Sequence, residues 1–180
     1  TADRPVILTS GRSAPAPRDW LGIDVYAGAD VLIDHALVEY ATSAVRFHDG
    51  SSGIVSNSTL TKNTTGVEVD LIAAPTVGPG NLIFNNEYGI HAYGDRSAPN
   101  NPAPVVRGNS LYENSNYNYY ADYFGDPDTT VLDATGNWWG STGPGTIAAS
   151  IYSREDSSYS PWVDWGDLLD GPDGAVVSGT

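Results

Sequence analysis

The sequence predicts an all-β fold: a right-handed parallel β-helix (a single-chain solenoid) of about five coils with a C-terminal cap. Three observations carry this. A five-residue pattern recurs at nearly constant spacing, a second motif recurs in step with it, and helix-forming periodicity is missing while Gly totals 20 and Pro totals 12. The whole chain, 1–180, reads as one domain, with an entry strand and loop at 1–20, coils at 21–142, and a closing segment and tail at 143–180.

The first motif is small, apolar, polar, apolar, polar. It appears as Gly22-Ile23-Asp24-Val25-Tyr26, Ala44-Val45-Arg46-Phe47-His48, Gly66-Val67-Glu68-Val69-Asp70 and Gly89-Ile90-His91-Ala92-Tyr93. Successive starts lie 22, 22 and 23 residues apart, and a fifth copy, Asn118-Tyr119-Tyr120-Ala121-Asp122, follows after 29. Strict alternation over five residues marks a strand with one buried face. The second motif runs His35-Ala36-Leu37, Ser58-Thr59-Leu60, Asn81-Leu82-Ile83, Asn109-Ser110-Leu111 and Asn137-Trp138-Trp139. Three residues past its apolar member stand Tyr40, Asn63, Asn86 and Asn114. A unit this short has no room for a helical repeat. Wound once per unit, equivalent strands stack in parallel at about 4.8 Å and apolar columns fill the interior. Asn at the corners is expected in left-handed geometry, hydrogen-bonded to its counterpart one coil on.

With these residues in view, the chain resembles the right-handed parallel β-helix repeat family of the pectate-lyase-like superfamily. Residues 20–142 carry the resemblance. The segment Gly136-Asn137-Trp138-Trp139-Gly140, then Gly143-Pro144 and Ser160-Pro161-Trp162, is similar to the Trp-rich closing coil of secreted bacterial members. The resemblance implies a fold and leaves the activity open, because the superfamily holds lyases, hydrolases, adhesins and structural modules.

Composition narrows function. Acidic residues number 22 against 8 basic ones, a formal net charge of -14. That argues against nucleic acid and anionic membranes, since phosphate binding needs clustered Lys and Arg. It also disfavours acidic polysaccharides unless a cation such as calcium bridges the two. No run is long and apolar enough for a membrane span, so no membrane insertion is expected. There is no cysteine, hence no disulfide or thiolate metal site. With no methionine either, the numbering is expected to start inside a processed or excised polypeptide. Low Lys and abundant Gly, Ser, Thr and Asn suit an extracellular or cell-surface protein.

Alternation places two polar columns on the outside of the first strand: Asp24, Arg46, Glu68, His91, Tyr120, and Tyr26, His48, Asp70, Tyr93, Asp122. If the protein were an enzyme, Glu68 and Asp70 would supply acid and base or nucleophile. Arg46 would pair with a substrate carboxylate, and His91 completes the candidate catalytic set. Tyr26, His48, Tyr93 and Tyr120 are the candidate ligand-binding residues, three of them able to stack on sugar rings. The plainer reading is a solvated ladder of paired charges, and no catalytic set is complete. His48, Asp70 and His91 would need demanding geometry to share a metal. His35 is expected to make a corner hydrogen bond. Calcium is the one cofactor considered, at Asp122, Asp126 and Asp128, and the spaced Asp164, Asp167, Asp170 and Asp173 are a weaker candidate; neither matches a calcium-loop motif. Asn57-Ser58-Thr59 and Asn63-Thr64-Thr65 are formal glycosylation sequons.

Insertions at 71–80, 94–104 and 122–130 fall at one edge of the rod, where they would either build a cleft or simply vary in length. At the C-terminus, residues 146–152 are expected to form a short helical turn and 158–165 a last strand, with Trp138, Trp139, Trp162 and Trp165 closing the core. The N-terminal coil has no such cover. The leading expectation is therefore a non-catalytic structural or adhesive module that self-associates, or continues a longer β-helix, through that end. Head-to-tail stacking would give a rod or filament. The alternative is a polysaccharide-active enzyme (lyase or glycoside hydrolase) or a glycan-binding domain using the first-strand face.

Overall fold

Among the described residues, strand pairing is entirely parallel, and each strand pairs with the equivalent strand one repeat away. The computed structural model describes residues 4–97 and 100–172. The chain opens with β1 (Val6–Leu8), then β2 (Trp20–Val25), β3 (Asp30–Asp34) and β4 (Ala36–Glu39). The next passage is β5 (Ala41–Phe47), β6 (Ser52–Ser56) and β7 (Thr59–Thr61), followed by β8 (Thr65–Asp70), β9 (Thr76–Val77) and β10 (Leu82–Phe84). Then come β11 (Tyr88–Tyr93), β12 (Val105–Val106), β13 (Ser110–Tyr112), β14 (Tyr117–Asp122) and β15 (Val131–Asp133). A short helix α1 (Pro144–Ala148) leads to β16 (Ile151–Tyr152) and β17 (Trp162–Asp164).

Three sheets result, ordered β1-β4-β7-β10-β13, β16-β14-β11-β8-β5-β2 and β17-β15-β12-β9-β6-β3. The fold is all-β and has the layout of a parallel β-solenoid. The recurring first motif forms the second sheet in the predicted register: Asp24, Arg46, Glu68, His91 and Tyr120 are successive cross-strand partners. Its inward residues stack as Ile23, Val45, Val67, Ile90, Tyr119 and Ile151. Val38, Leu60, Ile83 and Leu111 make the matching column of the first sheet, all fully buried. Burial of such columns supplies the main driving force.

The second motif needs a correction of one residue in its first copy. Val38, not Leu37, pairs with Leu60, because Leu37 points outward. The ladder position opposite Asn63 is accordingly Ala41, whose N–H donates to Asn63 Oδ1 at 2.8 Å, and not Tyr40. The left-handed corner is also displaced. It is taken by Tyr40, Lys62, Asn85 and Glu113, with φ of 63, 58, 55 and 53°, each just before the ladder position. A second row of left-handed corners holds His35, Asn57, Gly80, Gly108 and Gly136.

The buried asparagines have a different task. Asn63 and Asn86 are nearly inaccessible. The Asn86 amide donates to Leu60 O at 3.0 Å, Phe84 O at 3.2 Å and Asn114 Oδ1 at 3.1 Å, while its Oδ1 accepts the Asn63 N–H at 2.9 Å. Asn81, Asn109 and Asn137 form a second ladder in the same way. These side chains satisfy carbonyls that turn inward at the corners, which would otherwise be buried and unpaired.

The closing segment also differs from expectation. α1 is shorter than the predicted turn, and Ile151 and Tyr152 extend the second sheet instead, paired with Tyr119 and Tyr120. Ile151 fits there because the Tyr119 ring below it offers an apolar surface. Of the four tryptophans expected to close the core, Trp139 is buried and Trp165 packs on the core, but Trp138 is only partly buried and Trp162 is 44% exposed. Trp162 pairs with outward-facing Val131, so its ring points away from the interior. Ile147, Ile151 and Leu168 complete the plug.

Asn86→Leu should destabilise the fold by about 2–4 kcal/mol in urea unfolding, since it leaves inward carbonyls unpaired. Its exposed neighbour tests the division of labour: Asn85→Gly should change stability by no more than about 0.5 kcal/mol.

Candidate functional site

The outer face of the second sheet gathers the polar side chains singled out by the repeat. It divides into a charged half and an aromatic half. In the charged half, Arg46 binds Asp70 through Nε at 2.8 Å and Nη2 at 2.7 Å, and approaches Glu68 at 3.6 Å. His48 Nε2 lies 2.7 Å from Asp24, and its Nδ1 lies 3.7 Å from Asp70. The Tyr26 ring stacks on His48 at 4.5 Å, within 1° of parallel. Ser43 donates its hydroxyl to Glu68. Burial alone would lower the Arg46 pKa, but the Asp70 hydrogen bond and the charges of Glu68, Asp70 and Asp24 hold it above its ordinary value.

The candidate acid and base are thus engaged with neighbours. Glu68 is held by Ser43 and Arg46, and Asp70 by Arg46 with His48 nearby. The face as it stands is a closed network of opposite charges on adjacent strands.

His91 marks the border. On one side are Glu68 and Asp70; on the other are aromatic rings. Tyr88, Tyr93 and Tyr120 lie 5.7, 5.7 and 5.1 Å from its ring. Its Nε2 is buried and has no hydrogen-bond partner among the described residues. Burial is the largest influence on its pKa and pushes it below the ordinary 6.5, against the raising effect of Glu68, Asp70 and Asp122.

Beyond His91 the face is tyrosine. Tyr120 stacks on Tyr152 at 4.6 Å, and Tyr117 lies 5.6 and 5.4 Å from these two rings. Burial, reinforced by Asp122, raises the Tyr120 pKa. Tyr88, Tyr117, Tyr152 and Ser43 are absent from the predicted set. Tyr88 and Tyr117 share a column with Thr65 and Ser43, one residue before the small position of the motif. Reading the repeat one residue further back finds them. Tyr152 was hidden by the helical reading of its segment.

The other candidates scatter. His35 sits at its corner with Nδ1 2.6 Å from Asp34. Hydrogen bonds from Asn57, His35 and Ser56 bring the Asp34 pKa down to about 2. Asp122 accepts from Ser160 Oγ at 3.1 Å, whereas Asp128 pairs with Arg154. Among the described residues no three His, Asp or Glu side chains are grouped to hold a metal ion, and Asp173 lies outside them. Asn63 is buried, so its sequon is closed to a glycan; Asn57 is exposed. The insertions are tied together: the Arg96 guanidinium lies 4.1 Å from the Tyr123 ring and 3.7 Å from the Tyr159 ring, and Gly125 N–H donates to Asn101 Oδ1 at 2.8 Å.

Compared with protein-family models, curated proteins and solved structures, the chain gives no match.

A pH test follows from His91. The folded state holds a neutral imidazole more strongly than the unfolded chain, whose ordinary value is 6.5. As pH falls below that value the unfolded chain binds the extra proton first, so stability drops with pH. His91→Phe should flatten the fall of the melting temperature between about pH 6.5 and pH 5. An unchanged slope would remove His91 as its source.

Proposed function

We propose that this chain is a non-catalytic structural or adhesive module of an extracellular or cell-surface protein, joined to further β-structure through its N-terminal edge. In this reading the solenoid is right-handed, as crossovers between parallel strands overwhelmingly are, has about five coils, and is of the pectate-lyase-like kind. The observation that carries the proposal is the contrast between the two ends. Val6 stands in the inward column with Ala36, yet it is 61% exposed. Leu8, Trp20, Ile23 and Val31 are only partly covered, and Leu21 is 74% exposed. Among the described residues, nothing pairs with the outer edges of β1, β2 and β3. An open edge backed by unfinished core favours addition of strands.

The plugged C-terminal end bears on how copies would join. Where the added β-structure is a second copy, two copies meet through the same surface and the assembly closes at two. A pair is therefore favoured over the filament expected from head-to-tail stacking. Light scattering across a concentration series should show a monomer–dimer equilibrium, and Val6→Lys with Leu21→Lys should shift it to monomer while the β-sheet circular dichroism is kept. A wild-type chain that stays monomeric at millimolar concentration contradicts the proposal.

A second reading is supported by the tyrosine half of the second sheet. Exposed Tyr93 and the run Tyr88, Tyr117, Tyr120 and Tyr152 form an aromatic surface suited to stacking on glycans. The mutual pairing of Arg46, Glu68 and Asp70 makes binding the better-supported use of this face than lyase or hydrolase chemistry. Retardation in polysaccharide-containing gels that Tyr120→Ala abolishes would support it. Polysaccharide cleavage abolished by Glu68→Gln or Asp70→Asn would favour the enzymatic alternative.

A further inference from the structure

On the outer face of the first sheet, Phe84 of β10 and Tyr112 of β13 stack with ring centroids 5.1 Å apart and planes within 1°. The next member of this column is a glycine. Trp138 bridges to Ser110, which sets Gly140 beside Tyr112. A Cβ at Gly140 would stand 2.8 Å from the Tyr112 Cβ, and its φ is +77°, so both space and backbone hold this position to glycine. Among the described residues the aromatic stack therefore ends at Tyr112, with no further ring beyond it. A cavity of about 350 Å³ opens there, lined by Tyr112, Trp138, Asn118, Glu113, Thr146 and Ser150.

The polar wall of this cavity carries an unused donor. Asn118 is 4% exposed. It terminates the ladder Asn63–Asn86–Asn114: its Oδ1 accepts from the Asn114 N–H at 3.4 Å and from Asn114 Nδ2 at 2.9 Å. Each ladder amide before it donates to backbone carbonyls; the Asn118 amide donates to nothing among the described residues. A side-chain amide without an acceptor, beside an outward-facing ring, asks for a ligand with a flat apolar face and oxygen acceptors on its rim. Glu113 at the mouth and the net charge of -14 disfavour an anionic ligand.

We propose that this cavity binds a single neutral pyranose ring, stacked on Tyr112 and hydrogen-bonded by Asn118. The site lies on a different sheet from the tyrosine face and needs neither reading given above. The test is saturation-transfer NMR with the methyl glycosides of glucose, galactose, mannose and N-acetylglucosamine, with methyl glucuronate and phenol as controls. At least one neutral glycoside should receive saturation at millimolar concentration. Tyr112→Ala should weaken it about tenfold, the loss of one stacking contact, while Tyr112→Phe, which keeps the ring, retains it. Asn118→Asp, which keeps the ladder acceptor and removes the donors, should also weaken binding; thermal melts check that each variant is folded. No transfer to any neutral glycoside, transfer to phenol or glucuronate alone, or binding indifferent to both Tyr112→Ala and Asn118→Asp overturns the proposal.

Discussion

Backbone groups that turn inward must be satisfied by a neighbouring passage or by a corner side chain, because the strands are short and pair only with the equivalent strands of adjacent passages. That constraint organises the rest. It explains why the strands pair in parallel across repeats. It also explains why asparagine is buried at the corners, where a strand has already bent away and its carbonyls lose their strand partners. An Asn amide can serve the passage before, its own corner and the next Asn together, as Asn86 does. No apolar residue can do this, and a longer polar one would not fit the spacing.

The same constraint makes the two ends unequal. Where the stack stops, satisfaction must come from elsewhere. At the C-terminal end α1, β16 and Leu168 cover the core. At the other end the inward column runs on into half-covered Leu8, Trp20 and Ile23. The proposed end-to-end partner would cover that edge. On the second sheet, by contrast, the acids are already engaged by Arg46 and His48.

Much of this was legible in the sequence. The second-sheet register followed from alternation alone, because every copy of the first motif keeps its apolar residues at the same two positions. The first-sheet register failed in one copy, where Leu37 and Val38 are both apolar and only packing decides which is buried. The corners were misassigned because Asn tolerates left-handed geometry; here its hydrogen-bonding capacity outweighs that tolerance, and Tyr40, Lys62 and Glu113 take the left-handed positions. The charged columns were found, but not that Ser43 joins them, nor that tyrosines gather beyond His91. Those depend on a strand start set one residue earlier and on Tyr152 joining a sheet. The slot beside Tyr112 had no sequence signal, since it exists through the absence of a side chain at Gly140.

The asparagine ladders hold the passages together as one cooperative unit. Native-state hydrogen exchange tests it directly, by NMR on the backbone N–H groups of Asn63, Asn86 and Asn109, each of which donates to the next Asn side chain. They should exchange only through global unfolding, with the same free energy as the N–H groups of Val45 and Val67 in the second sheet. Ladder amides that exchange through local opening, while the strand amides stay protected, would contradict it.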